Sequence, residues 1–153
     1  MSISLQGKTI LITGASSGIG AATARACTNA GMNCIITARR EDRLVQLAHE
    51  LGDSCTPIAG DVTQPGFNAH LIEQSNNVYA VFANAGHGLD QRMVDFDAEQ
   101  FQQLFELNVF AAVELASLAA KQMVLNKEGH ILLCASCLSK FATPKHGAYC
   151  ASK

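Results

Sequence analysis

Short apolar runs alternate along this chain with stretches whose apolar residues recur at helical spacing. Residues 8–13 read as a buried strand, and the glycine-rich turn Thr13-Gly14-Ala15-Ser16-Ser17-Gly18-Ile19-Gly20 then opens a helix over 18–31. Residues 33–38 predict a second strand. In 41–51, Leu44, Leu47, Ala48 and Leu51 share one helical face. A third strand is expected over 54–60. Thr63 is placed to cap a helix carrying Phe67, Leu71 and Ile72, with Pro65 in its first turn, where a missing N–H costs little. Residues 78–83 form the fourth strand. The longest helical pattern starts at Asp97 and runs to about Asn126, with Phe101, Leu104, Phe105, Leu107, Val109, Val113 and Leu118 among its apolar positions. Gly129 ends it, and 130–135 is the fifth strand.

Strands alternating with helices imply parallel pairing through right-handed crossovers, hence a doubly wound α/β sheet. A length of 153 residues suits one domain spanning 1–153, and 48% hydrophobic against 16% charged residues fits a sheet covered on both faces. A net charge of −2 without a run of like charges offers nothing to nucleic acid or to an anionic membrane. The N-terminus has no signal-peptide core, and no later apolar stretch is expected to span a bilayer without polar breaks, so a cytoplasmic protein is expected. The six cysteines make no dense disulfide framework. Cys134 and Cys137 form a C-x-x-C, but no second such pair or histidine cluster accompanies it. They are read as small buried thiols and no metal site is expected.

The glycine-rich turn falls between the first strand and the first helix, where missing side chains let backbone approach a pyrophosphate and helix N–H groups face its charge. Asn84-Ala85-Gly86 closes the fourth strand. Ser136 follows the fifth, and Tyr149 and Lys153 lie four positions apart, on one face of a helix. In order and spacing these motifs resemble the short-chain dehydrogenase/reductase family, with its TGxxxGIG turn, its Asn-Ala-Gly segment and its Ser…YxxxK site. The resemblance runs the length of the chain. It implies a Rossmann-type sheet in the order 3-2-1-4-5 and a nicotinamide dinucleotide bound by Gly14, Ser16, Ser17, Gly18, Ile19 and Gly20.

At the end of the second strand, where an NAD site places a carboxylate for the ribose 2′-hydroxyl, this chain has Ala38, Arg39 and Arg40. A guanidinium presents a fork of donors to a 2′-phosphate, so NADP(H) is expected over NAD(H), with Arg39 the principal contact and Arg40 stacking on adenine. The competing reading makes both arginines surface charges paired with Glu41 and Asp42. Asp61 and Val62 match the family's adenine contact, although a turn role for Asp61 stands beside it. Asn84, Ala85 and Gly86 match the segment flanking the cofactor ribose, while Ala83 departs from the commoner Asn.

A free tyrosine ionises near pH 10, and an adjacent cation lowers that by roughly 1 to 3 units. By resemblance, Tyr149 transfers a proton, Ser136 hydrogen-bonds the substrate oxygen, Lys153 also holds the nicotinamide ribose, and Asn108 supports a water-linked proton path to Lys153. Ser139 and Ser152 are competing serines, but neither ends a strand. His87 and His146 either line the substrate mouth or are exposed loop histidines. The implied activity is NADP(H)-dependent hydride transfer between nicotinamide and a small-molecule carbonyl/alcohol pair. The alternative is a dinucleotide-binding module without catalysis, acting through protein contacts.

Family members continue past the Lys through two further strands and a substrate-covering loop. The expectation is therefore an incomplete chain lacking the C-terminal strands, with an open edge on its fifth strand, marginal stability and little turnover. The long helix resembles the family's dimer-forming helix, which implies a homodimer or homotetramer for the complete protein.

Overall fold

The structure is a computed structural model describing residues 4–153, so residues 1–3 of the N-terminal segment lie outside it. Five parallel strands, β1 (Thr9–Thr13), β2 (Asn33–Ala38), β3 (Cys55–Ala59), β4 (Ala80–Ala83) and β5 (His130–Leu133), form one sheet in the order β3-β2-β1-β4-β5. Both the doubly wound fold and its strand order agree with expectation. Register runs from Thr9↔Asn33 to Thr13↔Thr37 between β1 and β2, and from Ala80↔His130 to Ala83↔Leu133 between β4 and β5.

Successive residues of the central strand point to opposite faces, and both faces are covered. Ile10 and Ile12 pack with Ile36, Leu44 and Leu47 under α1 (Gly18–Asn29) and α2 (Glu41–Leu51). Leu11 packs on the other side with Ile35, Val81, Leu71 of α3 (Phe67–Gln74), and Leu115 and Met123 of α5 (Ala111–Asn126). Burying one such side chain fully contributes about 1.5–3 kcal/mol, which makes β1 the anchor of the sheet. Its carboxyl end is therefore a rigid place from which to hang a loop.

The expected helix cap at Thr63 is not formed. Helix α3 begins at Phe67 after Gly66, which adopts φ 80°. Thr63 instead donates its N–H and hydroxyl to Asp61 Oδ1 at 3.0 and 2.8 Å, so Thr63 and Pro65 belong to a turn. At the other long helix, Asp97 caps as expected, accepting the N–H groups of Glu99 and Gln100. The helix is not uniform, however. It runs as α4 (Ala98–Phe105), a π turn at Glu106–Phe110, then α5.

That continuous 29-residue stretch, Ala98–Asn126, has an 18-residue window of mean hydropathy 1.3, long and apolar enough by composition to cross a membrane. The expectation of no apolar span free of polar breaks stands, since Glu114 falls inside every 18-residue window of this stretch. Its composition has another physical cause, because Leu104, Ala111, Leu115, Ala119 and Met123 are buried against the sheet. The fifth strand is shorter than expected and stops at Leu133. All four of its residues are exposed, with Ile131, Leu132 and Leu133 at 40%, 48% and 56%. The buried-thiol reading fails for the pair it was made for, because Cys134 is half-buried and Cys137 is exposed in the 3₁₀ turn after β5, whereas Cys34 and Cys55 are buried.

Candidate active site

Strand order reverses between β1 and β4, and the loops leaving the carboxyl ends of the five strands diverge there. They enclose an open cleft of 590 Å³. Thr13, the last residue of β1, fixes its floor. Its Oγ1 accepts the N–H groups of Asn84 and Ala85, each at 3.0 Å, and its carbonyl accepts from Asn84 Nδ2 at 3.0 Å. The glycine-rich turn lies hard against this floor. A Cβ at Gly14 would stand 2.9 Å from Ala85 Cα, and one at Gly20 would stand 2.6 Å from the Gly14 carbonyl. Only glycine allows that approach.

Of the residues expected from the sequence, Gly14, Ser16, Ser17, Ile19, Arg39, Arg40, Asp61, Val62, Asn84, Ala85, Gly86, Tyr149 and Lys153 line the cleft. Gly18 and Gly20 shape the turn from behind. Ser17 makes no side-chain cap at the start of α1, which leaves the first-turn N–H groups without a side-chain acceptor beside the cleft. The two arginines are placed differently from each other. Arg40 donates from Nε and Nη2 to Ser16 Oγ at 3.1 and 2.8 Å and from Nη2 to Ser17 Oγ at 2.7 Å. Arg39, 73% exposed, approaches only Asp61, at 4.0 Å. Asp61 thus serves its own turn through Thr63 while standing in the cleft wall.

At the opposite end, Cys134 and Ala135 form the wall beyond β5. The Cys134 N–H donates to the Ala83 carbonyl at 3.1 Å, so the Ala in place of the family's commoner Asn leaves β4–β5 pairing intact. Ser136 is not part of the wall. Its Oγ accepts the Leu138 N–H at 3.2 Å and caps the 3₁₀ turn Cys137–Ser139. Helix α6 (Gly147–Ser152) brings Tyr149 to the cleft, and Lys153 donates from Nζ to the Cys134 carbonyl at 3.0 Å.

Asn108 stands behind the cleft on the π turn, 7% exposed. Its Oδ1 accepts the His87 N–H at 3.0 Å, and its Nδ2 donates to the His87 carbonyl and to Ser152 Oγ, each at 2.9 Å. His87 lines the cleft, whereas the His146 ring turns to Thr143 and Pro144. Thr13 opens the glycine-rich motif, but sequence reasoning gives it no role in the site. Among the described residues no cluster of metal-ligating side chains occurs.

The donor set fits a dinucleotide. Uncapped helix N–H groups face one part of the cleft, a guanidinium with two hydroxyls holds a second, and a phenol with an ammonium holds the far end. Comparison with known proteins agrees. The chain is 34% identical to the 3-oxoacyl-(acyl-carrier-protein) reductase FabG of Rickettsia bellii over 99% of its own length and 63% of that protein. A serine dehydrogenase solved in its closed form with NADP+ superposes with a TM-score of 0.90 at 25% identity, covering 95% of this chain and 60% of that one. A short chain dehydrogenase/reductase from Burkholderia phymatum in complex with NAD superposes with a TM-score of 0.94 at 26% identity, covering 99% and 57%. The chain thus spans less than two thirds of the length of these relatives. Because the family profile described as short chain dehydrogenase matches residues 8–153, reaching from β1 through Lys153, the chain belongs to the short-chain dehydrogenase family.

Proposed function

We propose that this chain carries the cofactor site and proton-transfer residues of an NADP(H)-dependent oxidoreductase acting on a carbonyl/alcohol pair. The observation that carries the reading is a single cleft in which Tyr149 and Lys153 share walls with the uncapped start of α1 and with Arg40. The bound nicotinamide would supply or accept the hydride. The chain's own groups do the rest. Backbone N–H groups from Gly18 onward hold the pyrophosphate, and Asn84, Ala85 and Gly86 flank the ribose on a floor pinned by Thr13. Arg40, steadied by Ser16 and Ser17, takes the 2′-phosphate in place of Arg39, because its guanidinium is already gathered at the turn. Arg39, beside Asp61, is left for the adenine face.

Tyr149 passes its phenolic proton to the substrate oxygen in reduction and recovers it in oxidation, and Lys153 stands behind it as the fixed positive charge. Ser136 reaches the substrate oxygen by releasing the Leu138 N–H that its hydroxyl now accepts. Asn108 holds the backbone of His87 and so keeps that wall in place. The same proposal includes a cytoplasmic protein that assembles as a dimer or tetramer when complete.

One competing reading is a dinucleotide-binding module that works through protein contacts. Following NADPH oxidation against a panel of aldehydes and ketones separates the two. Turnover that disappears in Tyr149→Phe while NADPH binding persists is the expected result. Binding of NADPH with no turnover in the protein at the full length of its relatives would establish the module, and undiminished turnover in Tyr149→Phe would refute the proton-transfer role.

A further inference from the structure

Ser152 has no place in the chemistry just described, yet its hydroxyl is among the most completely used in the molecule. The residue is 6% exposed. Its Oγ accepts a hydrogen bond from Asn108 Nδ2 at 2.9 Å and donates one to the Tyr149 carbonyl at 2.9 Å. Asn108 gives its other N–H to the His87 carbonyl and accepts the His87 N–H, so this side-chain amide reads the backbone of the cleft wall in both directions. A continuous path of hydrogen bonds, buried at its Asn108–Ser152 link, therefore runs from His87 through Asn108 and Ser152 to the backbone of Tyr149.

That path matters because of what α6 is. It carries both Tyr149 and Lys153 into the cleft, so its placement sets theirs. The side chains at its two ends of interest are tethered differently. The Lys153 ammonium donates to the Cys134 carbonyl at 3.0 Å, whereas among the described residues the Tyr149 hydroxyl makes no hydrogen bond, and the Tyr149 carbonyl is the one Ser152 holds. The π turn completes the arrangement. Its wider winding closes a bond from the Ala111 N–H to the Glu106 carbonyl, and the inserted residue directs Asn108 at both His87 and Ser152.

We infer that Ser152 is a positioning residue, which locks α6 to the Asn108 amide and thereby sets where Tyr149 and Lys153 stand in the cleft. This inference rests on the proposed oxidoreductase reading. Alanine would fit the space but would leave one Asn108 N–H and the Tyr149 carbonyl without their partner in a water-poor site. Threonine keeps the hydroxyl. Cysteine keeps the shape while bonding weakly.

The test compares Ser152→Ala, Ser152→Cys and Ser152→Thr with the parent chain. In both Ser152→Ala and Ser152→Cys, kcat should fall by about ten- to a hundredfold, the scale of a small displacement of reacting groups, while KM for NADPH moves by less than about threefold. Ser152→Thr should recover most of kcat, and the cysteine variant reports the effect even where alanine fails to fold. A second readout needs no turnover. In nitrogen-15 spectra, the Asn108 side-chain proton facing Ser152 should exchange with solvent at least about tenfold faster in Ser152→Ala, as a lost hydrogen bond of about 1.4 kcal/mol requires. Unchanged kcat in Ser152→Ala, or a loss in Ser152→Thr as deep as in Ser152→Ala, overturns the positioning role. An amide proton that exchanges at the parental rate overturns the tie itself, whatever the turnover. With the protein at the full length of its relatives, an absence of carbonyl turnover refutes the proposed function, and with it the catalytic consequence drawn here, while the exchange measurement still decides whether Ser152 holds Asn108.

Discussion

Gly86→Ala is the sharpest probe of the site's architecture. A Cβ built on Gly86 lies 2.8 Å from Asn108 Oδ1 and 3.0 Å from Lys153 Nζ. The ammonium ends a flexible chain and can retreat. The amide cannot, because three hydrogen bonds of 2.9 to 3.0 Å fix it to His87 and Ser152. Restoring an ordinary carbon–oxygen separation takes a shift of about half an ångström. Such a shift lengthens those bonds beyond the usual limit of about 3.2 Å. Three weakened bonds at about 1 kcal/mol each put the cost at about 2–4 kcal/mol. The assay is equilibrium urea denaturation followed by far-ultraviolet circular dichroism, with Gly88→Ala as the control. Gly88 has nothing within 4 Å of the position a Cβ would take, so that variant should stay within about 0.5 kcal/mol of the parent. Equal stability of the two variants would refute the claim that Asn108 is held rigidly behind the cleft.

Two further perturbations address charge. Arg40→Ala removes the guanidinium gathered by Ser16 and Ser17 and should weaken NADPH binding about 10- to 100-fold, the equivalent of one to two charge-assisted hydrogen bonds, while leaving NADH binding unchanged. A larger loss for Arg39→Ala in the same fluorescence titration would return the phosphate to Arg39. Hydrogen bonds from Gln100, and then from Glu99, hold the Asp97 carboxyl below its ordinary value. Its stabilising contribution is therefore complete above the ordinary aspartate range and fades as pH falls through the lowered value. Asp97→Ala should melt earlier than the parent at neutral pH, and the gap should close in acid. A gap that persists unchanged at low pH would show that the carboxylate's charge contributes nothing to the cap.

The sheet was legible because a strand buried on both faces must be apolar at every position, and runs such as Ile10-Leu11-Ile12 and Cys34-Ile35-Ile36 have no helical reading. Their ends were less legible, since apolar character outlasts pairing. Cys134 gives one more bond to β4 past the end of the strand and, with Ala135, forms the cleft wall. At Thr63 the side chain had two uses available, helix cap or turn, and the nearby carboxylate of Asp61 took it. The π turn left no trace in the pattern. Helical spacing holds on both sides of Glu106–Phe110, and one extra residue within five shifts the apolar face too little to register.

The site divides along the same line. Gly14, Gly20 and Tyr149-x-x-x-Lys153 could be read because each acts through a local constraint, a close backbone approach or one helical turn. Thr13, the choice between Arg39 and Arg40, and Ser152 act across the fold. Thr13 meets Asn84 and Ala85 only because β1 pairs with β4. Neighbouring arginines leave the end of β2 in different directions, so which one reaches Ser16 depends on backbone that composition does not encode. Ser152 was set aside as a serine that ends no strand, a sound criterion for a group that must meet substrate. It is the wrong criterion for a hydroxyl whose partners are another side chain's amide and a backbone carbonyl. The residues that touch ligand in such a cleft are announced by motifs. The residues that hold those motifs still become visible only once the π turn has carried Asn108 between His87 and α6.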